Sequence, residues 1–106
     1  MPKKILAIDY LEQRYADLSD ILEVDLQQSI PESAKGYAGI VLHNGIEFDS
    51  LIKEAIKCKI PIIFHVSGHN MLREYKDRVK FTYNDYPNAH FVREGKLSSK
   101  LRAIFG

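Results

Sequence analysis

Few side chains in this chain are suited to chemistry, and several of those stand where an apolar run ends. Asp9 follows Ile5-Leu6-Ala7-Ile8, and His43 follows Gly39-Ile40-Val41-Leu42. His65 lies near the end of Ile60-Pro61-Ile62-Ile63-Phe64-His65-Val66, with Ser67 and His69 just beyond it. Runs of this kind suit buried strands, and in an open parallel sheet ligands gather at the carboxyl ends of the strands. If Asp9, His43 and a residue of the His65–His69 turn converged there, a carboxylate with imidazoles would suit Zn²⁺ with one open position. The histidines are separate in sequence, however, and show no HxH or HExxH spacing. The plainer reading makes His43 a neutral turn residue bonded to backbone and His65 a core histidine with its polar needs met. It expects neither a metal nor a cofactor.

Other catalytic arrangements find less support. There is no GxSxG, no P-loop and no GxGxxG after the first run, where Asp9-Tyr10-Leu11-Glu12 stands instead. Asp9 and Glu12 are the only paired carboxylates near that edge. A phosphocarrier would need His43 or Cys58 as nucleophile. Cys58 falls at the carboxyl end of an expected helix, where the dipole raises a thiol pKa. No catalytic residue is assigned, and the chain is not expected to be an enzyme.

The elements that would position these residues can be read from periodicity. The chain has 106 residues, 45% hydrophobic and 27% charged, which suits one compact domain over 1–106 with one cysteine and no intrachain disulfide. The apolar run before Asp9 is too short for a secretory or membrane segment, and a cytoplasmic location is expected. Ile5–Ile8, Val24–Leu26, Ile40–Leu42, Ile60–Val66 and His90–Val92 read as strands. Leu11, Tyr15, Leu18 and Leu22 read as one face of a helix, and Phe48, Leu51, Ile52, Ala55 and Ile56 as another. Met71, Leu72, Tyr75 and Val79 mark a third, and a terminal helix begins near Lys96. Pro31 and Gly36 leave room for only one or two helical turns between the second and third strands. The alternation predicts a three-layer α/β domain. Its sheet is five-stranded, parallel and doubly wound in the flavodoxin-like order 2-1-3-4-5, with a shortened second helix.

Lys3-Lys4-Ile5-Leu6-Ala7-Ile8-Asp9, Gly39-Ile40-Val41-Leu42-His43, Lys59-Ile60-Pro61-Ile62-Ile63-Phe64 and Phe91-Val92-Arg93-Glu94-Gly95 carry a further likeness. In pattern and spacing the chain resembles the response-regulator receiver domains of two-component signal transduction over nearly its whole length. The resemblance implies an acidic cluster after strand 1 holding Mg²⁺ and a phosphoacceptor aspartate ending strand 3. It also implies a hydroxyl residue at the end of strand 4 and a lysine at the end of strand 5. These types serve phosphoryl transfer through hard oxygen ligands, a carboxylate nucleophile and groups that neutralise the phosphoryl oxygens.

The residues present depart from that pattern. Asp9 matches the strand-1 acid, but Tyr10 follows it. His43 stands where the acceptor belongs, Val66 where the hydroxyl belongs (Ser67 is one residue late), and Arg93 where the lysine belongs. Such a pocket is that of a degenerate pseudo-receiver, and aspartyl phosphorylation is not expected of it.

The resemblance then moves the expected function to the helix 4/strand 5/helix 5 face, which in receivers carries dimerisation and output contacts. Here that face would present Tyr75, Arg78, Tyr83, Tyr86, His90, Lys96, Lys100 and Arg102. Tyr and Arg are types enriched at interface hot spots. His90 falls at the strand-5 position of the receivers' aromatic switch residue. The expectation is a non-catalytic regulatory protein-interaction module that meets a protein partner or forms a homodimer, without nucleic acid or membrane. Arg73, Lys76, Arg78 and Lys80 do interleave with aromatics, but Glu74, Asp77 and Asp85 dilute their charge. The alternative is a small flavodoxin-like enzyme, a phosphocarrier or a metal-binding domain using Asp9 and His43.

Overall fold

A computed structural model describes residues 2–9, 12–29, 31, 33–43, 49–66 and 86–106 of the chain. Its strands are β1 (Lys3–Ile8), β2 (Leu22–Gln27), β3 (Gly39–His43), β4 (Ile62–Val66) and β5 (Ala89–Arg93), with a 3-10 helix at Glu12–Leu18 and α-helices α1 (Asp49–Cys58) and α2 (Leu97–Phe105). The five strands are parallel in the order β2-β1-β3-β4-β5, the flavodoxin-like arrangement that the alternation predicts. The expected helix over 71–79 lies outside the described residues. Among those described, no helix is long and apolar enough to cross a membrane.

β1, β3 and β4 are central and covered on both faces, which is why their sequences are continuously apolar instead of alternating. Period-2 geometry then divides each strand between two cores. Leu6, Ile8, Ile40, Leu42, Ile62, Phe64 and Val66 pack with Leu51, Ile52 and Ala55 of α1. Ile5, Ala7, Val41, Ile63 and Val92 pack with Tyr15 and Leu18 of the 3-10 helix and with Leu97, Leu101 and Phe105 of α2.

Two local features close these layers. α1 ends in a Schellman motif, in which Ile60 N–H donates to Ala55 C=O (3.1 Å) and Lys59 N–H to Ile56 C=O (3.1 Å). Lys59 therefore sits at φ 60°, where glycine is usual. On the other face a Cβ at Gly39 would overlap the Phe105 ring, so the glycine lets α2 lie close on β3.

The segment from Leu11 to Leu22 differs from a single amphipathic helix. Leu22 must stand opposite Lys3 for β2 to pair with β1 through Ile8–Gln27. Ile21 N–H donates to Leu18 C=O (3.0 Å), turning the chain there. Tyr15, Leu18 and Leu22 are all buried, so their spacing is satisfied by a short helix, a turn and a strand. Between β2 and β3 the shortening reaches its limit. The described residues of the Pro31–Gly36 segment hold a turn at Lys35 and Gly36 (φ 93°) and no helix.

Candidate functional site

The register of the sheet builds the site. Ile8 of β1 pairs with Leu42 of β3, so the next residues, Asp9 and His43, stand side by side at the strand ends. His43 is itself the register partner of His65 on β4. Alternation sends all three side chains to the face covered by the 3-10 helix and α2, in line with Ala7, Val41 and Ile63. Asp9 is 3% exposed and His65 1%, whereas His43 is half-buried.

Contacts among them are direct. The Nδ1 atoms of His43 and His65 are 2.9 Å apart, with ring centroids 4.8 Å apart. One ring must donate Nδ1–H and the other accept, which requires opposite neutral tautomers. Burial holds both pKa values below the usual histidine range. For His65, burial and then the His43 and Arg14 charges push it down to about 4. For His43, burial outweighs the attraction of Asp9. Asp9, His43 and His65 each offer a donor atom, and the three lie within 4.8 Å of one another.

The 3-10 helix supplies the counter-groups. Tyr15 O–H donates to Asp9 Oδ2 at 3.0 Å, and Arg14 Nε stands 3.2 Å from the same oxygen, as an ion pair without hydrogen-bond alignment. Arg14 also pairs with Glu94, just beyond β5. That pair holds the Glu94 carboxyl below its usual range, while burial and then Asp9 raise the Tyr15 phenol. Beside this bridge lies a cavity of about 300 Å³ lined by Arg14, His65, Glu94, Gly95, Leu97 and Ser98. His65 Nε2 is buried and has no hydrogen-bond partner among the described residues.

Of the receiver-pocket positions read from sequence, Asp9 and His43 meet here. Val66 is 1% exposed within the opposite core, and Arg93, its register partner on β5, is exposed. The guanidinium beside Asp9 is that of Arg14, not Arg93. Tyr10 and Ser67 lie outside the described residues. His65 is indeed a core histidine, but one ring nitrogen is bonded to His43 and the other is unpaired among the described residues. His43 bonds another ring at the strand end.

Nothing local in the sequence marks Arg14 or Glu94 as a site residue, and Tyr15 is marked only as part of a helical core face. Their spacing from Asp9 signals proximity only once the 3-10 helix is known to fold back over the strand ends.

The expected docking face is described in part. Tyr86 is half-buried, and its hydroxyl donates to Ile60 C=O. His90 and Lys100 are half-buried, and Lys96 is exposed. Burial and then the Lys100 charge hold His90 below its usual pKa. Arg102 turns towards the 3-10 helix, donating to Asp17 C=O at 2.6 Å and to Asp20 at 3.0 and 3.2 Å. Tyr75, Arg78 and Tyr83 lie outside the described residues.

No protein-family model, curated protein or solved structure matches the chain.

Proposed function

We propose that this chain is a non-catalytic regulatory module of the pseudo-receiver type, which docks a protein partner or a second copy of itself and does not undergo aspartyl phosphorylation. The observation that carries the second half is the state of Asp9. Its carboxylate is buried against Arg14 and Tyr15 of the same chain, and the neighbouring strand ends in His43. A cation ligand in a phosphorylatable pocket faces a hard dication and an acceptor carboxylate. Here an internal guanidinium offsets the Asp9 charge, and an imidazole occupies the acceptor's place.

Docking is assigned to the β5–α2 side. Lys96, Lys100 and His90 bring positive or protonatable groups there, with Lys100 close enough to His90 to act on its charge. An acidic or mixed-polarity partner surface suits that composition.

Acetyl phosphate and beryllofluoride test the pocket. Amide NMR signals of residues 9, 43 and 65 should stay in place with either reagent, and a stable acyl phosphate would contradict the reading. Light scattering with a pull-down from the native cell tests docking. Self-association or a captured partner should be lost in the double variant His90→Ala/Lys100→Glu, and a strict monomer with no partner would count against it.

A further inference from the structure

We propose that the Asp9 carboxylate and the imidazoles of His43 and His65 form a binding site for one first-row transition-metal dication, with Zn²⁺ as the probe. This goes beyond the docking reading and does not depend on it, since a chain that meets no partner can still hold an ion at this edge.

The donor set argues for the class of ion. Two imidazoles and one carboxylate match the ligands of tetrahedral Zn²⁺ with an open position, and they suit Mg²⁺ poorly because it favours oxygen. The geometry is close to what such an ion needs. With Zn–N near 2.0–2.1 Å, neighbouring ligand atoms of a tetrahedral site lie about 3.3 Å apart. The two Nδ1 atoms are at 2.9 Å, and all three donors are within 4.8 Å of one another. Side-chain rotations that move donor atoms by up to about 1.5 Å close the difference. His43 and His65 are register partners on adjacent strands, and Asp9 directly follows β1 with its N–H donating to Gln27 C=O at 3.0 Å, so the backbone that carries all three is already ordered.

His65 is also an unusual core residue, since one of its ring nitrogens is not paired with any described group. It is 1% exposed, and its Nε2 has no partner among the described residues. An unpaired buried polar nitrogen costs about 1–3 kcal/mol, which a leucine at this position would avoid. The Nε2 half of its hydrogen-bonding capacity is thus not spent on pairing within the described residues, while Nδ1 is shared with His43. The adjoining cavity of about 300 Å³, lined in part by His65, Arg14 and Glu94, leaves room for an ion to arrive.

The neutral ring pair holds one Nδ1–H between its Nδ1 atoms. If both rings coordinate through Nδ1, that proton passes to Nε2 of the same ring through solvent.

Arg14 opposes the ion, because its guanidinium already pairs with Asp9. It has a second carboxylate in Glu94, to which it can commit when a dication takes Asp9. Arg14 is therefore a competitor, and removing it should tighten binding, the opposite of what a folding defect does.

The test is calorimetric titration of the chelator-treated full chain with Zn²⁺, together with the visible spectrum of the Co²⁺ form. The expected result is saturable binding at one ion per chain and a d–d absorption band of low coordination number. His43→Gln and Asp9→Asn should each weaken binding by about tenfold or more, Arg14→Gln should tighten it several-fold, and Cys58→Ser, at the exposed thiol ending α1, should leave it unchanged. Circular dichroism of each variant separates lost binding from lost folding. The proposal is overturned if folded wild type takes up neither ion saturably, if His43→Gln binds as tightly as wild type, or if Arg14→Gln weakens binding while remaining folded.

Discussion

The two faces of this sheet use the same strands and the same register, yet they end differently. On the α1 face, Ile8, Leu42, Phe64 and Val66 keep the surface apolar to the strand ends. On the face under the 3-10 helix and α2, the apolar series Ala7, Val41 and Ile63 gives way one step later to Asp9, His43 and His65. Adjacent residues of one strand thus have opposite duties. Phe64 stacks on Phe91 at 5.1 Å between centroids, while His65 bonds another imidazole. Both faces are packed, but one stays apolar to the strand ends while the other ends in a polar row, and substitutions at neighbouring positions can separate the two.

The largest expected effect breaks the apolar face. Phe64 is fully buried, and Phe64→Ala should cost about 3–5 kcal/mol in urea unfolding. A loss below about 1 kcal/mol would mean that this core collapses around the gap.

Acid should act on the other face. In metal-free protein the folded His65 pKa is about 4, depressed from the ordinary 6.5. Its neutral form therefore contributes stability that is fully present above pH 6.5. That stability is lost as pH falls through 6.5 towards 4, by an amount of order 3 kcal/mol. Denaturation followed in chelator across this window should show the slope, and His65→Gln should flatten it.

A smaller effect is expected from His65→Leu. It removes an unpaired buried nitrogen while leaving half-buried His43 in reach of water, so stability should stay within about 1 kcal/mol of wild type. A loss as large as that of Phe64→Ala would make the ring a packing residue and erase the contrast between the faces.

The smallest prediction concerns the helix that covers the apolar face. Lys59→Gly relieves the φ 60° strain at the end of α1 and should add about 0.5–1 kcal/mol by thermal unfolding, leaving the polar row untouched.

Much of this fold was legible in the sequence because burial on both faces writes itself as continuous apolar runs. β1, β3 and β4 announced themselves that way, and the Leu51, Ile52 and Ala55 stripe announced α1. The segment after Asp9 was less legible, since Tyr15, Leu18 and Leu22 satisfy helical spacing and a short helix with a strand alike. For the site, a strand-end position was readable for Asp9 and His43. Arg14, Tyr15 and Glu94 were not, because long-range pairing leaves no periodic trace. The step that aligns His43 with His65 belongs to sheet register, which a sequence specifies only through the combined pattern of all its strands.

The most direct test of the polar row is the imidazole ¹⁵N NMR spectrum of wild type at neutral pH, before and after one equivalent of Zn²⁺. Of the four histidines in the chain, His43 and His65 should begin as neutral rings with Nδ1 atoms in one hydrogen bond. Those two rings alone should then move to metal-bound shifts. Solvent-like, independently titrating rings at 43 and 65, or shifts confined to His69 and His90, would contradict the account.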